Sequence, residues 1–137
     1  MKKICLSFAF GLLIFSVSAQ DVNRKIIIDV TSTNFKVYQS VLLTLRIMTD
    51  SHPNTQFDVI AYGEAVPMMM KNQSVVSDEI SKYIENKNIS FTACEVSMSL
   101  FNIKREQLLD GVKTVNNAID EIVKKQGEGW GYIKSGN

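Results

Sequence analysis

At 137 residues, with 45% hydrophobic and 21% charged residues, the chain has room for one ordinary domain and not for a second. Fifteen lysines and arginines stand against 14 acidic residues and one histidine. The basic residues are scattered rather than clustered, which argues against a nucleic-acid footprint and leaves acidic membranes no landing strip.

Lys2 and Lys3 precede an apolar run over residues 4–15 that ends in the small residues Val17-Ser18-Ala19. This is the pattern of a secretory signal peptide over residues 1–19, with cleavage expected after Ala19. The run is too short to span a bilayer comfortably. Cys5 lies at its start, whereas a lipid anchor needs a cysteine at its end. The expectation is a periplasmic or secreted protein of residues 20–137, with no membrane association after cleavage. Loss of two lysines from the 15 basic residues leaves 13 against 14 acids. It also leaves Cys94 as the remaining cysteine, without an intramolecular partner. An unpaired thiol in an oxidising compartment is either sheltered in a core or chemically useful.

The mature chain alternates strands and helices. Ile26-Ile27-Ile28-Asp29-Val30 is apolar on both faces, as in a strand covered by helices on each side. Thr31-Ser32-Thr33-Asn34 then offers caps to a helix with Tyr38, Val41, Leu42, Leu45 and Met48 at helical spacing, stopped by His52-Pro53-Asn54. Residues 56–62 repeat the buried-strand pattern and run into a turn at Gly63-Glu64. Residues 66–76 read as part of a split helix. Ser77 is the expected cap of its clearer piece, in which Ile80, Tyr83 and Ile84 share a face. Residues 89–94 form the third strand, followed by a short irregular or helical segment to Leu100. A helical turn over residues 104–109 closes at Asp110-Gly111, and residues 112–115 form a fourth strand. An amphipathic helix follows, with Ala118, Ile119, Ile122 and Val123 on one face. Asp120 to Lys124 and Glu121 to Lys125 have the favourable i,i+4 order. Gly127 and Gly129 break this helix, and Trp130, Tyr132 and Ile133 mark a last strand at the sheet edge. The expected fold is a three-layer α/β/α sandwich around a mainly parallel sheet of about five strands. In such sheets ligands collect beyond the C-terminal strand ends, and Cys94 sits at one of them.

Phe91-Thr92-Ala93-Cys94, Leu108-Leu109-Asp110-Gly111-Val112, residues 118–126 and Gly129-Trp130-Gly131-Tyr132-Ile133-Lys134 recur in that order in a known pattern. With Val59-Ile60-Ala61-Tyr62-Gly63 upstream, the chain resembles the exported branch of the DsrE/DsrF-like proteins from about Lys25 to Lys134. The resemblance implies a doubly wound α/β fold, homo-oligomers such as trimers or hexamers, and a cysteine that carries sulfur as a persulfide between thiol-containing donor and acceptor proteins. Cys94 matches that cysteine. Glu95-Val96-Ser97 departs from the small residues usual after it. A neighbouring carboxylate raises a thiol's pKa, while free N-H groups of a helix begun at residue 96 lower it.

Two readings follow for Cys94: a persulfide carrier, at most a sulfurtransferase-type partner rather than a stand-alone enzyme, or a buried thiol in a non-catalytic oligomeric binding module. Asp29, Gly63, Glu64 and Glu95 are the candidates to line a pocket near it, with solvated loop carboxylates as the plainer reading. Met68-Met69-Met70 points in several directions along a helix, so core or subunit packing is favoured over copper(I) ligation. One histidine, His52, cannot build a zinc cluster. No glycine-rich phosphate loop or nucleophile elbow is present, and neither metal nor cofactor is expected. Trp130 and Tyr132 either anchor a subunit interface or cover the core. Asn72-Gln73-Ser74 and Asn88-Ile89-Ser90 match the glycosylation sequon, a pattern too short to carry weight.

Overall fold

Five strands pair in parallel: Lys25–Val30 (β1), Gln56–Ala61 (β2), Ile89–Cys94 (β3), Lys113–Val115 (β4) and Gly131–Ser135 (β5). They come from a computed structural model that describes residues 23–135. The expected leader, its cleavage point and Cys5 lie outside the described residues. Strand order is β4-β3-β2-β1-β5, so the chain steps outward from β1 to β4 and then returns past β1 to place β5 on its other side. Right-handed crossovers that reverse direction must change face. The helices Phe35–Ser51 (α1) and Ser77–Ile84 (α2) accordingly pack on one face, and Ala118–Gly127 (α4) on the other. A short helix, Glu95–Leu100 (α3), follows β3 directly, and 3-10 helices occupy Gly63–Met69 and Arg105–Gln107.

Strand residues alternate between two cores. Ile28, Val30, Phe57, Val59, Phe91 and Ala93 face α1 and α2 in the larger one, which also takes in Met68, Met69, Met70 and Met98. Fully burying Phe57 and Phe91 contributes about 2–3 kcal/mol each. The methionine run is therefore core. Ile27, Ile60 and Cys94 face α4 with Ala118 and Ile122 in a smaller core, flanked by Tyr62 and Trp130.

Local chemistry explains most of the element ends. Asn34 caps α1, its Oδ1 accepting the Lys36 N-H at 3.0 Å, and the His52 N-H closes the helix on the Met48 carbonyl at 2.8 Å. Ser77 is the first residue of α2 rather than its cap. The chain has already turned, with the Ser77 N-H on the Ser74 carbonyl at 3.2 Å and the Val76 N-H on Ser74 Oγ at 3.3 Å. On α4 only Ala118 and Ile122 of the four expected apolar residues are buried; Ile119 and Val123 are exposed. The helix rests on the sheet along one narrow line, and the next residue on a helix points about 100° away. Glu121 pairs with both Lys125 (3.7 Å) and Lys124 (3.8 Å), the latter in place of the expected Asp120 to Lys124 contact.

Candidate thiol site

Cys94 is the last residue of β3 and the cap residue of α3. β3 leads into α3, whose Met98 joins the larger core, whereas β4 leads into α4 on the opposite face. Outgoing connections thus diverge between β3 and β4, the position where open parallel sheets form a crevice. Cys94 pairs with Val115 across this division, which brings the start of α4 against the thiol.

The sulfur is enclosed, with Cys94 4% exposed. The Ala118 N-H donates to Sγ at 3.4 Å, and the thiol can donate to the Asn116 carbonyl at 3.8 Å. The hydroxyl and backbone N-H of Ser97, itself 5% exposed, lie close enough to the sulfur to favour its ionised form. Ser97 Oγ also accepts the Gly63 N-H at 2.8 Å, which ties α3 to the turn beyond β2. Burial opposes ionisation of Cys94. Hydrogen bonds from Ser97, Ala118 and Val96 outweigh that effect and hold the thiol pKa below its ordinary value. The Glu95 carboxylate is exposed and turned to solvent, so these N-H and O-H donors determine the direction of the shift.

The other sequence candidates fall into four separate places. Gly63 reaches Cys94 through Ser97. Glu64 lines a cleft of about 350 Å³ with Met70, Phe101 and Gln107, and Glu95 lines one of about 550 Å³ with Met98, Ser99 and Arg105. Cys94 lines neither cleft. Asp29 is buried at the end of β1, where its Oδ2 accepts the Tyr132 hydroxyl at 2.5 Å and the Tyr62 hydroxyl at 3.3 Å, with Lys134 Nζ at 3.5 Å. Its Oδ1 has no hydrogen-bond partner among the described residues. Burial, and then the Asp29 carboxylate, raise the Tyr62 pKa; Cys94 adds a smaller contribution, which places the phenol within electrostatic reach of the thiol.

Sequence reasoning misses the roles of Ser97 and Ala118 at the thiol, although signals for both exist. A serine three residues after a helix cap is well placed to bond back to it. Asn117 before an amphipathic run marks a helix start, and its side chain accepts the Ile119 N-H at 2.9 Å. Among the described residues no three His, Cys, Asp or Glu side chains gather closely enough to hold a metal ion, and no helix is long and apolar enough to cross a membrane.

Comparison with known proteins places these features in a family context. The model of the DsrE/DsrF/DrsH-like family matches residues 13–126, a span that contains Cys94 and ends before β5. A protein of unknown function from Methanobacterium thermoautotrophicum superposes with a TM-score of 0.77 at 22% identity, covering 81% of this chain and 98% of that one. A conserved protein of unknown function from Bacteroides thetaiotaomicron gives 0.67 at 16% identity, covering 85% and 98%. The ychN protein from E. coli gives 0.66 at 14% identity, covering 81% and 98%. At these identities the likeness is one of fold. No curated protein matches the chain.

Proposed function

The chain belongs to the DsrE/DsrF/DrsH-like family, and from that premise we propose that it is an exported sulfur-relay protein with Cys94 as the carrier. One observation carries the reading: Cys94 Sγ sits where β3 and β4 diverge, bonded by the Ala118 N-H and with the Ser97 donors beside it, surroundings that favour the thiolate. In the proposed relay, the Cys94 thiolate attacks the outer sulfur of a donor persulfide. The donor's S-S bond breaks and its thiolate leaves, while a new S-S bond leaves Cys94 as a persulfide. An acceptor thiolate then attacks the outer sulfur, and Cys94 departs as the thiolate it began as. Sulfur moves with no net oxidation, so no cofactor is needed.

Enclosure of the sulfur requires the start of α4 or the 95–97 segment to shift when a partner docks. The leader over residues 1–19 supports a periplasmic or secreted setting. Exposed apolar side chains on the elements that follow β3 and β4, Val96, Leu100 and Phe101 on and after α3 with Ile119 and Val123 on α4, support a homo-oligomer or a docked partner. Sedimentation velocity tests the oligomer: an assembly that Val123→Glu dissociates supports it, and a monomer at all concentrations overturns it.

The carrier role is tested by intact mass of the protein and of Cys94→Ser before and after polysulfide. Gain of one sulfur atom, reversed by a thiol and absent in the variant, is the expected result. No adduct on a free Cys94 thiol would favour the second reading, a non-catalytic oligomeric binding module in which Cys94 packs. The 4% exposure of Cys94 is the observation on that side.

A further inference from the structure

A second cleft, distinct from the thiol site, lies beyond the C-terminal end of β2, between the first 3-10 helix and the end of α3. Its volume of about 350 Å³ suits a small molecule. Met70 and Ile103 give it apolar walls, the Phe101 ring stands half exposed beside them, and Gln73 and Asn102 contribute carboxamides. Glu64 carries the single charge among the lining residues, and it makes no ion pair among the described residues. A lone carboxylate with amide oxygens and an aromatic face is complementary to an ammonium group on an apolar body. An anion would meet like charge at that carboxylate, and a fully apolar ligand would make no use of it.

The same cleft is mechanically tied to the thiol. Gly63 opens the 3-10 helix that carries Glu64, and its N-H donates to Ser97 Oγ at 2.8 Å. A serine hydroxyl has one proton, and with Gly63 as donor on its acceptor side that proton is free for Cys94 Sγ. The opposite wall, Phe101 to Ile103, continues from the C-terminal end of α3, the helix that contains Ser97. A molecule wedged between these walls acts on both sides of the Gly63 to Ser97 bond.

We propose that this cleft binds a small organic primary ammonium and that its occupancy reaches Cys94 through Ser97. The link to Cys94 rests on reading that thiol as the reacting group; the binding itself does not. Phenethylammonium chloride, titrated into the protein against sodium chloride as control and followed by amide NMR shifts, is the probe. Saturable shifts centred on residues 64–73 and 101–103 are expected. Glu64→Gln should weaken binding by about tenfold or more, and Phe101→Leu by about threefold. Both side chains are exposed, so an unchanged amide spectrum away from the cleft verifies the fold of each variant. In a second arm, saturating probe should change the rate of Cys94 alkylation by about fivefold in the parent protein and leave it unchanged in Ser97→Ala. Absence of saturable shifts, or equal affinity in Glu64→Gln, overturns the site. A probe that binds yet leaves alkylation unchanged overturns the link. Polysulfide loading is measured without the probe, so failure of the carrier reading and failure of this one are separable.

Discussion

Lys125 on α4 reaches Asp58 on β2 and closes an ion pair in which the lysine side chain is 16% and the aspartate 3% exposed. Thr92 Oγ1 donates to the other Asp58 oxygen at 2.7 Å, Glu121 lies 3.7 Å from the ammonium, and the Trp130 ring centroid lies 4.4 Å from it. α4 buries only two apolar side chains against the sheet, so this cluster is a principal anchor of the helix that covers Cys94. Two charges removed from water are costly, and removing one partner leaves the other uncompensated. Lys125→Met is expected to cost about 3–5 kcal/mol in urea unfolding, and combining it with Asp58→Leu should recover most of that loss.

Ser97→Ala should act in two ways. The half-buried Gly63 N-H loses its acceptor, at a cost of about 1 kcal/mol. Cys94 also loses a donor to its ionised form, so the midpoint pH of its alkylation should rise. The sign of the linkage follows from the direction of the shift. A thiol whose folded pKa is depressed contributes stability that is present above its unfolded pKa and lost as pH falls through the folded one. Relative to Cys94→Ser, the parent protein should therefore gain stability as pH rises toward about 8.5, the ordinary thiol value. Denaturation midpoints measured across that window check this, and Ser97→Ala should flatten the curve.

What was legible in the sequence followed from short-range chemistry. The apolar runs at 26–30, 56–62 and 89–94 are readable because strands of a parallel sheet covered on both faces have no polar side to display. Their alternation with helices placed Cys94 at a strand end. The Asp58 to Lys125 pair was not legible: its members are 67 residues apart, and each is locally unremarkable within a strand or an amphipathic helix. Ile119 and Val123 show a different difficulty. The pairs 118/122 and 119/123 both satisfy i,i+4 spacing, so periodicity alone cannot choose which one faces the sheet. Asp29 and Glu64 were placed at the correct strand ends, but the partners of Asp29, Tyr62, Tyr132 and Lys134, come from β5 and from beyond β2, a neighbourhood set by the return of the chain past β1.

Gly111 and Gly129 should separate two causes of glycine preference. Both have left-handed backbones, with φ of +89° and +87°. A Cβ at Gly111 would stand 2.4 Å from Ile84 Cγ2, whereas one at Gly129 would meet nothing within 4 Å. Gly129→Ala should cost only the backbone strain, about 1–2 kcal/mol. Gly111→Ala adds a clash with a half-buried side chain and should cost about 2–4 kcal/mol. Thermal unfolding of the two variants side by side gives the difference directly.

Tyr132 should titrate late. Its hydroxyl donates to Asp29 Oδ2 at 2.5 Å, and that hydrogen bond, with burial and the charge of Asp29 adding to it, pushes the phenol up to about 12 from 10.0. Here the linkage runs opposite to that of Cys94. A phenol whose folded pKa is raised contributes stability that is fully present below pH 10.0 and lost as pH rises through about 12, because the unfolded chain gives up the proton first. The ring is 41% exposed, so solvent screens part of the effect. Ultraviolet titration of the phenols should show a step near 12 that Tyr132→Phe removes. The same variant should lose less stability than the parent between pH 10.0 and 12. A parent protein in which every phenol has ionised well below 12 would mean that the Tyr132 to Asp29 bond does not persist in solution, leaving β5 joined to this end of β1 by backbone pairing and Lys134.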